Sequence, residues 1–498
     1  MQDLNDRKRA SVRTLLAGAA VAALSALLAA LPARAAPLDT IGVTQLRAID
    51  ATLIGTGISV AQVEAAGTNA AFEVNPLIVG QPVSLFTYTG TGGVTVAGTF
   101  PNGAGIESSH ANTVAGNFYG TAAGVAPGVQ HVYNYDAGYF YDTLISGNLQ
   151  ISGTIVNQSF NFPGQTVAGQ QQIDQNYDNY AFNHGTLFIS SVGNGGQVNA
   201  PSTSYNGIGV ADYGGFSSVG PTVDNGRSKP DITVPESETS WATPYVSGTA
   251  ALLAQAGARG DGGAGTNSVA IDPRVIKTLL INGAVKPADW THTPTAPLDI
   301  RYGGGIVNAY NSYNLLHAGK HTFSSANTTG SLVGTAQANI TGVQDPNAGW
   351  DFTTITSTTA SDAVNHYVFH PKVAAGVSSY VLTATLTWER HANESSINNL
   401  NLFLYDATTS TTTPLDKSIS AVDNVEHLYT LNLKPGDTYD LQVLKDGGLA
   451  GSATVSNAET YALAYNFASV PEPAFVATLL LGLPMLIGRA PRHGRNQF

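Results

Sequence analysis

The sequence predicts an α/β domain with a central parallel sheet, followed by an antiparallel β-sandwich. Two observations lead to this fold class. Between residues 39 and 316, short and nearly continuous apolar runs alternate with alanine-rich segments of helical character, a pattern typical of parallel strands buried by helices on both faces. After His317 the chain is rich in Thr, Ser and Asn, with strand-like runs separated by turn signals, as expected of a sandwich of about 140 residues.

The individual elements follow from local pattern. Apolar runs predict the parallel strands, alanine-rich stretches predict the covering helices, and alternating runs predict the sandwich strands. We predict a first domain over 39–316, a linker over 317–329 and the sandwich over 330–468. The predicted elements are strands at 58–63, 154–157, 187–192 and 208–211, helices at 242–256 and 273–280, and sandwich strands at 380–388 and 400–405.

Composition excludes several classes of protein. The chain has 498 residues, 43% of them hydrophobic and 11% charged, and no cysteine. It can therefore bury a large core, but it has no disulfide framework, thiolate metal site or cysteine nucleophile. The formal net charge is −12, and basic residues are concentrated at the two ends, so the body is more acidic still. Such a surface repels phosphate backbones, and we expect no nucleic-acid partner.

The first 35 residues have the order of a secretory signal peptide. Basic residues at 7–9 precede an apolar run at 15–31, and Ala-Arg-Ala follows at 33–35, which predicts cleavage after Ala35 or Ala36 by signal peptidase. A membrane anchor is the alternative, but the run is short and a cleavage site follows it.

The C-terminal segment 470–498 has a different order. Pro471-Glu472-Pro473 leads into an apolar stretch at 474–487 and a basic tail. This order resembles the PEP-CTERM sorting signal of Gram-negative bacteria. The resemblance implies a transient association with the inner membrane on the periplasmic side, cleavage by an exosortase-type enzyme, and release to the cell surface or the extracellular matrix. A permanent transmembrane tail anchor is the alternative.

One motif contains a candidate nucleophile. Residues 238–249 read ETSWATPYVSGT ahead of a helical pattern. A serine at a helix N-terminus lies where free N–H groups and the helix dipole favour a developing oxyanion, and Pro244 is expected in the opening turn, where a helix tolerates proline. Read alone, Ser240 is an ordinary helix cap. The segment resembles the G-T-S-x-A-x-P motif of the subtilases, the subtilisin-like serine peptidases, which implies that Ser240 is a nucleophile.

Three further segments resemble the same family in the same chain order. Residues 110–116, HANTVAG, resemble the histidine segment and imply that His110 is the general base. Residues 192–195, VGNG, imply that Asn194 contributes its amide to an oxyanion hole, with Val192 and Gly193 lining the primary specificity pocket. Residues 155–159 resemble an edge strand that pairs with bound peptide, and Ser159 is assigned to substrate binding.

The third triad member departs from the family pattern. The resemblance, which spans roughly residues 55–316, places an aspartate at the end of the first strand, but this chain has Glu64 there. A glutamate can orient an imidazole as aspartate does, with its carboxylate set back by about one C–C bond, roughly 1.5 Å. Asp50 is the competing candidate, but it lies before the strand. A second departure is Glu238, which replaces a family glycine beside the nucleophile.

The resemblance implies a subtilisin-like three-layer domain and a secreted serine endopeptidase that hydrolyses protein or peptide substrates through a Glu-His-Ser triad. The alternative is a catalytically inactive surface protein of the same fold that binds matrix polysaccharide or protein. The sequence identifies no cofactor. The resemblance also implies structural calcium, for which acidic loops at 135–136 or 174–178 could supply oxygens, but no spacing identifies a ligand. The sandwich either docks large substrates or stabilises the first domain passively.

Overall fold

A computed structural model describes residues 37–471 apart from 68, 330–335, 337–346, 359–360 and 448–454. The predicted signal peptide and the apolar part of the predicted C-terminal signal lie outside the described residues. Within the described part, no helix is long and apolar enough to cross a membrane.

The helices of the first domain begin and end at residues that favour capping. Ser108 accepts a hydrogen bond from the Ala111 N–H at 3.3 Å and begins α4, Thr166 caps α6 in the same way, and Gly185 ends α6 with a positive φ of 61°. The α-helices are α1 (Pro37–Thr40), α2 (Val43–Ile49), α3 (Pro76–Val79), α4 (Ser109–Phe118), α5 (Ala137–Tyr139), α6 (Val167–His184), α7 (Thr239–Ala258), α8 (Asn267–Ala270), α9 (Pro273–Asn282) and α10 (Ala309–His317). A π-helix, Phe140–Ile145, follows α5, and 3₁₀ turns form at Val83–Leu85 and Thr91–Gly93.

The strands of the chain belong mainly to one large sheet and two sandwich sheets. They are β1 (Ser59–Glu64), β2 (Ala71–Glu73), β3 (Phe86–Thr89), β4 (Thr95–Ala97), β5 (Ile106–Glu107), β6 (His131–Asp136), β7 (Ile155–Gln158), β8 (Leu187–Ser191), β9 (Ile208–Asp212), β10 (Ile232–Val234), β11 (Ser325–Thr329), β12 (Ala348–Thr356), β13 (Asp362–Phe369), β14 (Val377–Trp388), β15 (Leu400–Asp406), β16 (Asp416–Ser418), β17 (Val425–Leu433), β18 (Tyr439–Lys445) and β19 (Ala458–Pro471).

The first domain has three layers. Among the described residues, eight strands form its sheet in the order β10-β9-β8-β7-β1-β6-β3-β4, and each neighbouring pair is parallel except β3 and β4. One apolar core joins the sheet to α4 and α7, and a second core joins the opposite face to α6. The predicted parallel α/β domain is confirmed.

The C-terminal region is an antiparallel sandwich. Its sheets have the orders β11-β13-β18-β15-β16 and β12-β19-β14-β17, and their inner faces share one apolar core, so the predicted antiparallel architecture is confirmed. The segment predicted as a linker, 317–329, includes β11, which pairs with β13. The last sandwich strand, β19, continues to Pro471, the first residue of the predicted sorting triplet.

The sandwich packs against the first domain through α9. The hydroxyl groups of Thr278 on α9 and Thr387 on β14 are 2.6 Å apart, and Thr385 donates a hydrogen bond to Asn282 at 2.9 Å. The core of the first domain also includes Trp350 from β12. The two units are therefore joined by a buried, side-chain-specific contact.

Candidate active site

Glu64 is positioned by the alternation of β1. Side chains two residues apart lie on the same face of a strand, and Val60 contributes to the core shared with α4, so Gln62 and Glu64 face the same layer. The Gln62 side-chain amide donates to Glu64 Oε1 at 2.7 Å and to the Ala111 carbonyl oxygen at 3.0 Å. Gln62 Oε1 in turn accepts from the Tyr119 hydroxyl at 2.6 Å. This buried network holds the carboxylate rigidly.

His110 lies in the first turn of α4, directly in front of that carboxylate. Its Nδ1 is 2.7 Å from Glu64 Oε2, and its side chain is 40% exposed whereas Glu64 is only 2% exposed. A carboxylate at this distance accepts the Nδ1 proton, which leaves Nε2 of the neutral ring as the basic nitrogen. One ring nitrogen is therefore fixed, and the other is available for proton transfer.

Opposing effects act on the pKa of His110. Burial is the largest and lowers the pKa, but the hydrogen bond that His110 donates to Glu64 and the negative charges of Glu64 and Glu238 together raise it above the ordinary value. The carboxylates stabilise the protonated imidazole more than burial destabilises it. Such a ring accepts a proton more readily than a free histidine side chain.

Ser240 is the second residue of α7 and faces this region. The ring of the next residue, Trp241, lies 5.0 Å from the His110 ring. The Ser240 hydroxyl donates to the Ser159 carbonyl oxygen at 3.1 Å, and within the described residues no hydrogen bond joins it to His110. The structure thus brings all three predicted triad residues to one place, with the Ser240 hydroxyl turned away from the ring.

Pro244 explains a second contact between Ser159 and Ser240. The prediction that Pro244 lies in the opening turn is wrong, because α7 begins at Thr239 and places the proline in the second turn. Proline has no N–H, so it leaves the carbonyl oxygen four residues earlier, that of Ser240, without its helical partner. The Ser159 hydroxyl donates to this oxygen at 2.9 Å.

The edge strand predicted at 155–159 is also wrong. Residues Ile155–Gln158 form β7, which pairs with β1 on one side and β8 on the other. Parallel pairing on both sides uses the main-chain groups of the strand, so none remain for a peptide. Only the segment that begins with Ser159 leaves the sheet.

Asn194 is oriented by Thr239. Its side-chain oxygen accepts hydrogen bonds from the Thr239 main-chain N–H at 2.9 Å and from the Thr239 hydroxyl at 2.8 Å. An oxygen held by two donors turns the NH₂ group of the amide outward, and no described residue accepts from it. Val192 is buried and Gly193 has a φ of +106°, a conformation that favours glycine.

Glu238, the second departure from the motif pattern, and Asp50, the competing candidate for the triad, both have structural accounts. Glu238 has φ −146° and ψ 148°, which is extended backbone open to any residue, so the position does not require glycine. Asp50 forms an ion pair with Arg259 at 2.5 Å, and its pKa is lowered to about 2 by hydrogen bonds from Thr52 and Arg259. Asp50 is thus engaged elsewhere.

The acidic segment proposed for calcium is already used by protein cations. Asp174 lies 3.3 Å from Arg227, and Asp178 lies 2.9 Å from Arg390. Asp136 accepts from the Tyr139 N–H at 2.9 Å and caps α5. In the described stretches, no group of three or more histidine or acidic side chains is arranged to hold a metal ion. These residues do not fit a calcium site.

Sequence reasoning missed Gln62, Tyr119 and Thr239 as residues that support the site. The role of Gln62 could have been predicted, because it lies two residues before Glu64 in a strand and therefore on the same face. The role of Tyr119 could not, because its contact joins the end of α4 to β1, and these are distant in sequence.

One family model and several solved structures are similar to this chain. Residues 93–305 match the model of the subtilase family, a stretch that includes His110, Asn194 and Ser240 but begins after Glu64. No curated protein matches the chain.

Three solved structures are similar to this chain at low identity. An alanine variant of the protease domain of PatA is 21% identical, with 53% of this chain and 97% of that chain covered and a TM-score of 0.35. The prenylagaramide maturation protease PagA is 18% identical, with 56% and 99% covered and a TM-score of 0.39. A protease from Pseudoalteromonas arctica is 19% identical, with 53% and 92% covered and a TM-score of 0.36.

Proposed function

We propose that this protein is a secreted, subtilisin-like serine endopeptidase in which Glu64, His110 and Ser240 form the catalytic triad. The observation that carries the proposal is the 2.7 Å contact between His110 Nδ1 and the buried Glu64 carboxylate, beside Trp241, the residue that follows Ser240. The subtilase family match over residues 93–305 supports the same reaction class.

The proposed reaction begins when the Ser240 hydroxyl rotates from the Ser159 carbonyl oxygen to His110 Nε2. Nε2 takes the hydroxyl proton while Ser240 Oγ attacks a peptide carbonyl carbon. Glu64 keeps the ring oriented and stabilises the imidazolium that forms. His110 then gives the proton to the leaving amine as the peptide C–N bond breaks. Water attacks the acyl-enzyme and gives a proton to Nε2, which returns it to Ser240 Oγ as the ester bond breaks.

The developing oxyanion needs donors aimed at its position. We assign these to the outward NH₂ group of Asn194 and to the main-chain N–H of Ser240, which, as the second residue of α7, has no acceptor within its own helix. Val192, Gly193 and Ser159 are assigned to substrate contact. No metal ion is needed in this reaction.

Export is part of the proposal and depends on the two ends of the sequence. The signal peptide directs secretion, and the C-terminal segment directs transient inner-membrane tethering before an exosortase-type enzyme releases the protein to the cell surface or matrix. Expression in a Gram-negative host tests both steps, with an antibody used to detect the size of the protein and the cell fraction in which it is found. A full-length product found only in the cytoplasm would contradict them.

One observation favours the second candidate, a non-catalytic protein that binds matrix polysaccharide or protein. The Ser240 hydroxyl is engaged by Ser159 rather than by His110. A fluorophosphonate probe separates the two functions, because it reacts only with an activated serine.

The labelling experiment compares the native protein with Ser240→Ala, His110→Ala and the control Ser237→Ala, an exposed serine three residues before Ser240. We expect labelling of the native protein and of Ser237→Ala, no labelling of Ser240→Ala, and labelling of His110→Ala slowed at least 100-fold. An unlabelled native protein that is folded by circular dichroism would support the binding function instead.

A further inference from the structure

Three carboxylates converge beside the start of α7. Asp212 ends β9 and pairs with Val234, the last residue of β10. The chain then passes through residues 235–238 into α7 and contributes Glu236 and Glu238. We call Asp212, Glu236 and Glu238 the acidic rim.

The rim is a single spatial cluster. A Cβ atom added to Gly215 would lie 2.3 Å from Asp212 Oδ1 and 2.3 Å from the Ser237 carbonyl oxygen. The Asp212 carboxylate therefore lies against Ser237, the residue between the other two acids. Both oxygens, one from a side chain and one from the main chain, lie close to Gly215.

Asp212 lacks an adequate partner there. It is 4% exposed, and neither of its oxygens makes a hydrogen bond of normal geometry to a described residue. Burial is the largest effect that raises its pKa; the nearby Gly215 N–H lowers it, and the charges of Glu238 and Glu236 raise it again. A buried carboxylate that has neither an ion-pair partner nor a hydrogen bond of normal geometry is costly, which indicates a group that the protein alone does not supply.

Protein cations do not neutralise the rim. In the described part of the chain, none of its three acids forms an ion pair, and Glu238 makes no capping hydrogen bond although it precedes α7. Arg301 lies over the Tyr302 ring, which contacts Tyr213 of the neighbouring loop, but its guanidinium is 3.2 Å from Asp289. Glu236 accepts from the Ser237 N–H at 3.3 Å and is hydrogen-bonded to the Tyr245 hydroxyl, but no cation among the described residues balances the negative charge of the rim.

The rim borders the proposed reaction centre. Glu238 precedes Thr239, whose N–H and hydroxyl hold Asn194, and its charge reaches His110. A fixed negative charge beside a developing oxyanion opposes the reaction unless a cation lies between or beside them. A substrate that brings its own cation removes this conflict.

We propose that the acidic rim binds a positively charged side chain of the substrate, a lysine or arginine of the polypeptide close to the scissile bond. This inference rests on the proposed peptidase function and assigns its substrate class. Glu238 and Glu236 attract the cation from solvent, and the Asp212 carboxylate with the Ser237 carbonyl oxygen accepts its N–H groups. The rim therefore determines specificity.

The test uses peptides that differ at one position. A fluorogenic peptide library carries lysine or its neutral isostere norleucine at each of four positions on either side of the cleavable bond. Hydrolysis is followed with the native protein, Glu238→Gln, Asp212→Asn and the control Glu394→Gln, an exposed acid on the sandwich. Binding of the same peptides to Ser240→Ala, measured by fluorescence anisotropy, does not depend on catalysis.

We expect kcat/KM at least 10-fold higher for lysine than for norleucine at one position, with a preference that weakens at high salt. Glu238→Gln and Asp212→Asn should reduce that ratio at least three-fold, and Glu394→Gln should not. Equal kcat/KM for the two peptides at all positions, or a ratio unchanged in both rim variants, would overturn the proposal while the peptidase function stands. Rim-dependent lysine binding by Ser240→Ala without any hydrolysis by the native protein would retain the cation site and refute the peptidase.

Discussion

At the scale of single residues, the site depends on a glutamate where the motif has an aspartate. The longer side chain still reaches His110, because Glu64 Oε2 lies 2.7 Å from Nδ1 and Gln62 holds the other carboxylate oxygen. Glu64 is preferred to Asp50 because residues 55–64 resemble the first strand of the family and Asp50 lies before it, and the ion pair of Asp50 with Arg259 supports the choice. Sequence reasoning could not foresee the hydroxyl orientation of Ser240, which depends on Ser159, distant in sequence.

Removal of the Glu64 charge should change both rate and pH dependence. In Glu64→Gln the pKa of His110 loses the two effects of Glu64 that raise it and keeps only that of Glu238 against burial, so the pKa falls below the native value. The acidic limb of kcat/KM, which reports the free enzyme, therefore moves to lower pH. The maximal rate should fall on the order of 100- to 10,000-fold, because the ring is no longer held in its productive tautomer.

A pH profile of peptide hydrolysis by the native protein and Glu64→Gln measures this shift. Glu394→Gln serves as the matched loss of one negative charge. An acidic limb that stays in place in Glu64→Gln would show that Glu64 does not control the titration of His110.

Thr239 should act as a positioning residue for Asn194. Thr239→Val removes one of the two hydrogen bonds to the Asn194 side-chain oxygen and keeps the main-chain bond. We expect kcat to fall roughly 5- to 20-fold with KM nearly unchanged, against a loss on the order of 100- to 1,000-fold for Asn194→Ala. Steady-state kinetics of both variants measure these losses. Thr239→Ser keeps the hydroxyl and should recover native kcat. Equal losses in Thr239→Val and Thr239→Ser would refute the hydrogen-bond role.

At the scale of elements, the sequence predicted what depends on local periodicity. The pattern predicts a strand at 58–63, and β1 is Ser59–Glu64; it predicts a helix at 242–256, and α7 is Thr239–Ala258. The helix begins earlier because Thr239 binds Asn194, a contact no local pattern contains. The error over β7 has a similar cause, since its position inside the sheet depends on strands far away in sequence.

The close approach of α7 to the segment after α4 depends on Gly248. A Cβ atom there would lie 2.4 Å from Val125 Cβ, which is closer than van der Waals contact allows. Gly248→Ala should therefore lower the free energy of unfolding by about 1 to 3 kcal/mol.

Gly116→Ala is the matched control for that substitution. Gly116 lies in α4 and has open space at its Cβ position, so alanine there should be neutral or stabilising by about 0.4 to 1 kcal/mol. Urea unfolding of both variants provides the comparison. Equal stability of Gly248→Ala and the native protein would mean that α7 and residue 125 are less tightly packed than described.

At the scale of the whole molecule, the architectures of both units were predictable from composition and hydrophobic pattern, but the way the units pack against each other was not. The composition change near His317 separated the two units, because strand and helix patterns are local. The contact between them joins α9 to β14 and β19. Single polar side chains elsewhere add to it, such as that of Asn206, whose Oδ1 accepts from the Arg390 main-chain N–H at 2.8 Å. Such pairings are invisible in a single sequence.

Glu389 should make the stability of this contact depend on pH. Burial, the largest effect, raises its pKa to about 7, although Arg274 lowers it. The folded state therefore holds a proton that the unfolded state loses near pH 4.5, and the stability this confers is present below pH 4.5 and is lost as the pH rises through about 7.

Urea unfolding between pH 5 and pH 8, followed by tryptophan fluorescence, measures this effect. We expect Glu389→Gln to remove a decline on the order of 1 to 3 kcal/mol that the native protein and Glu394→Gln both show. A decline of the same size in all three proteins would assign it to other groups.

The central claim, that Glu64, His110 and Ser240 act as one unit, is tested most directly by a double-mutant cycle on peptide hydrolysis. The four proteins are the native form, Glu64→Gln, Ser240→Ala and the double variant. A shared mechanism predicts that Ser240→Ala and the double variant are equally slow, because the orienting carboxylate has no role once the nucleophile is absent. A double variant slower than Ser240→Ala by the full factor that Glu64→Gln costs the native protein, or a Ser240→Ala protein as fast as the native one, would contradict the account.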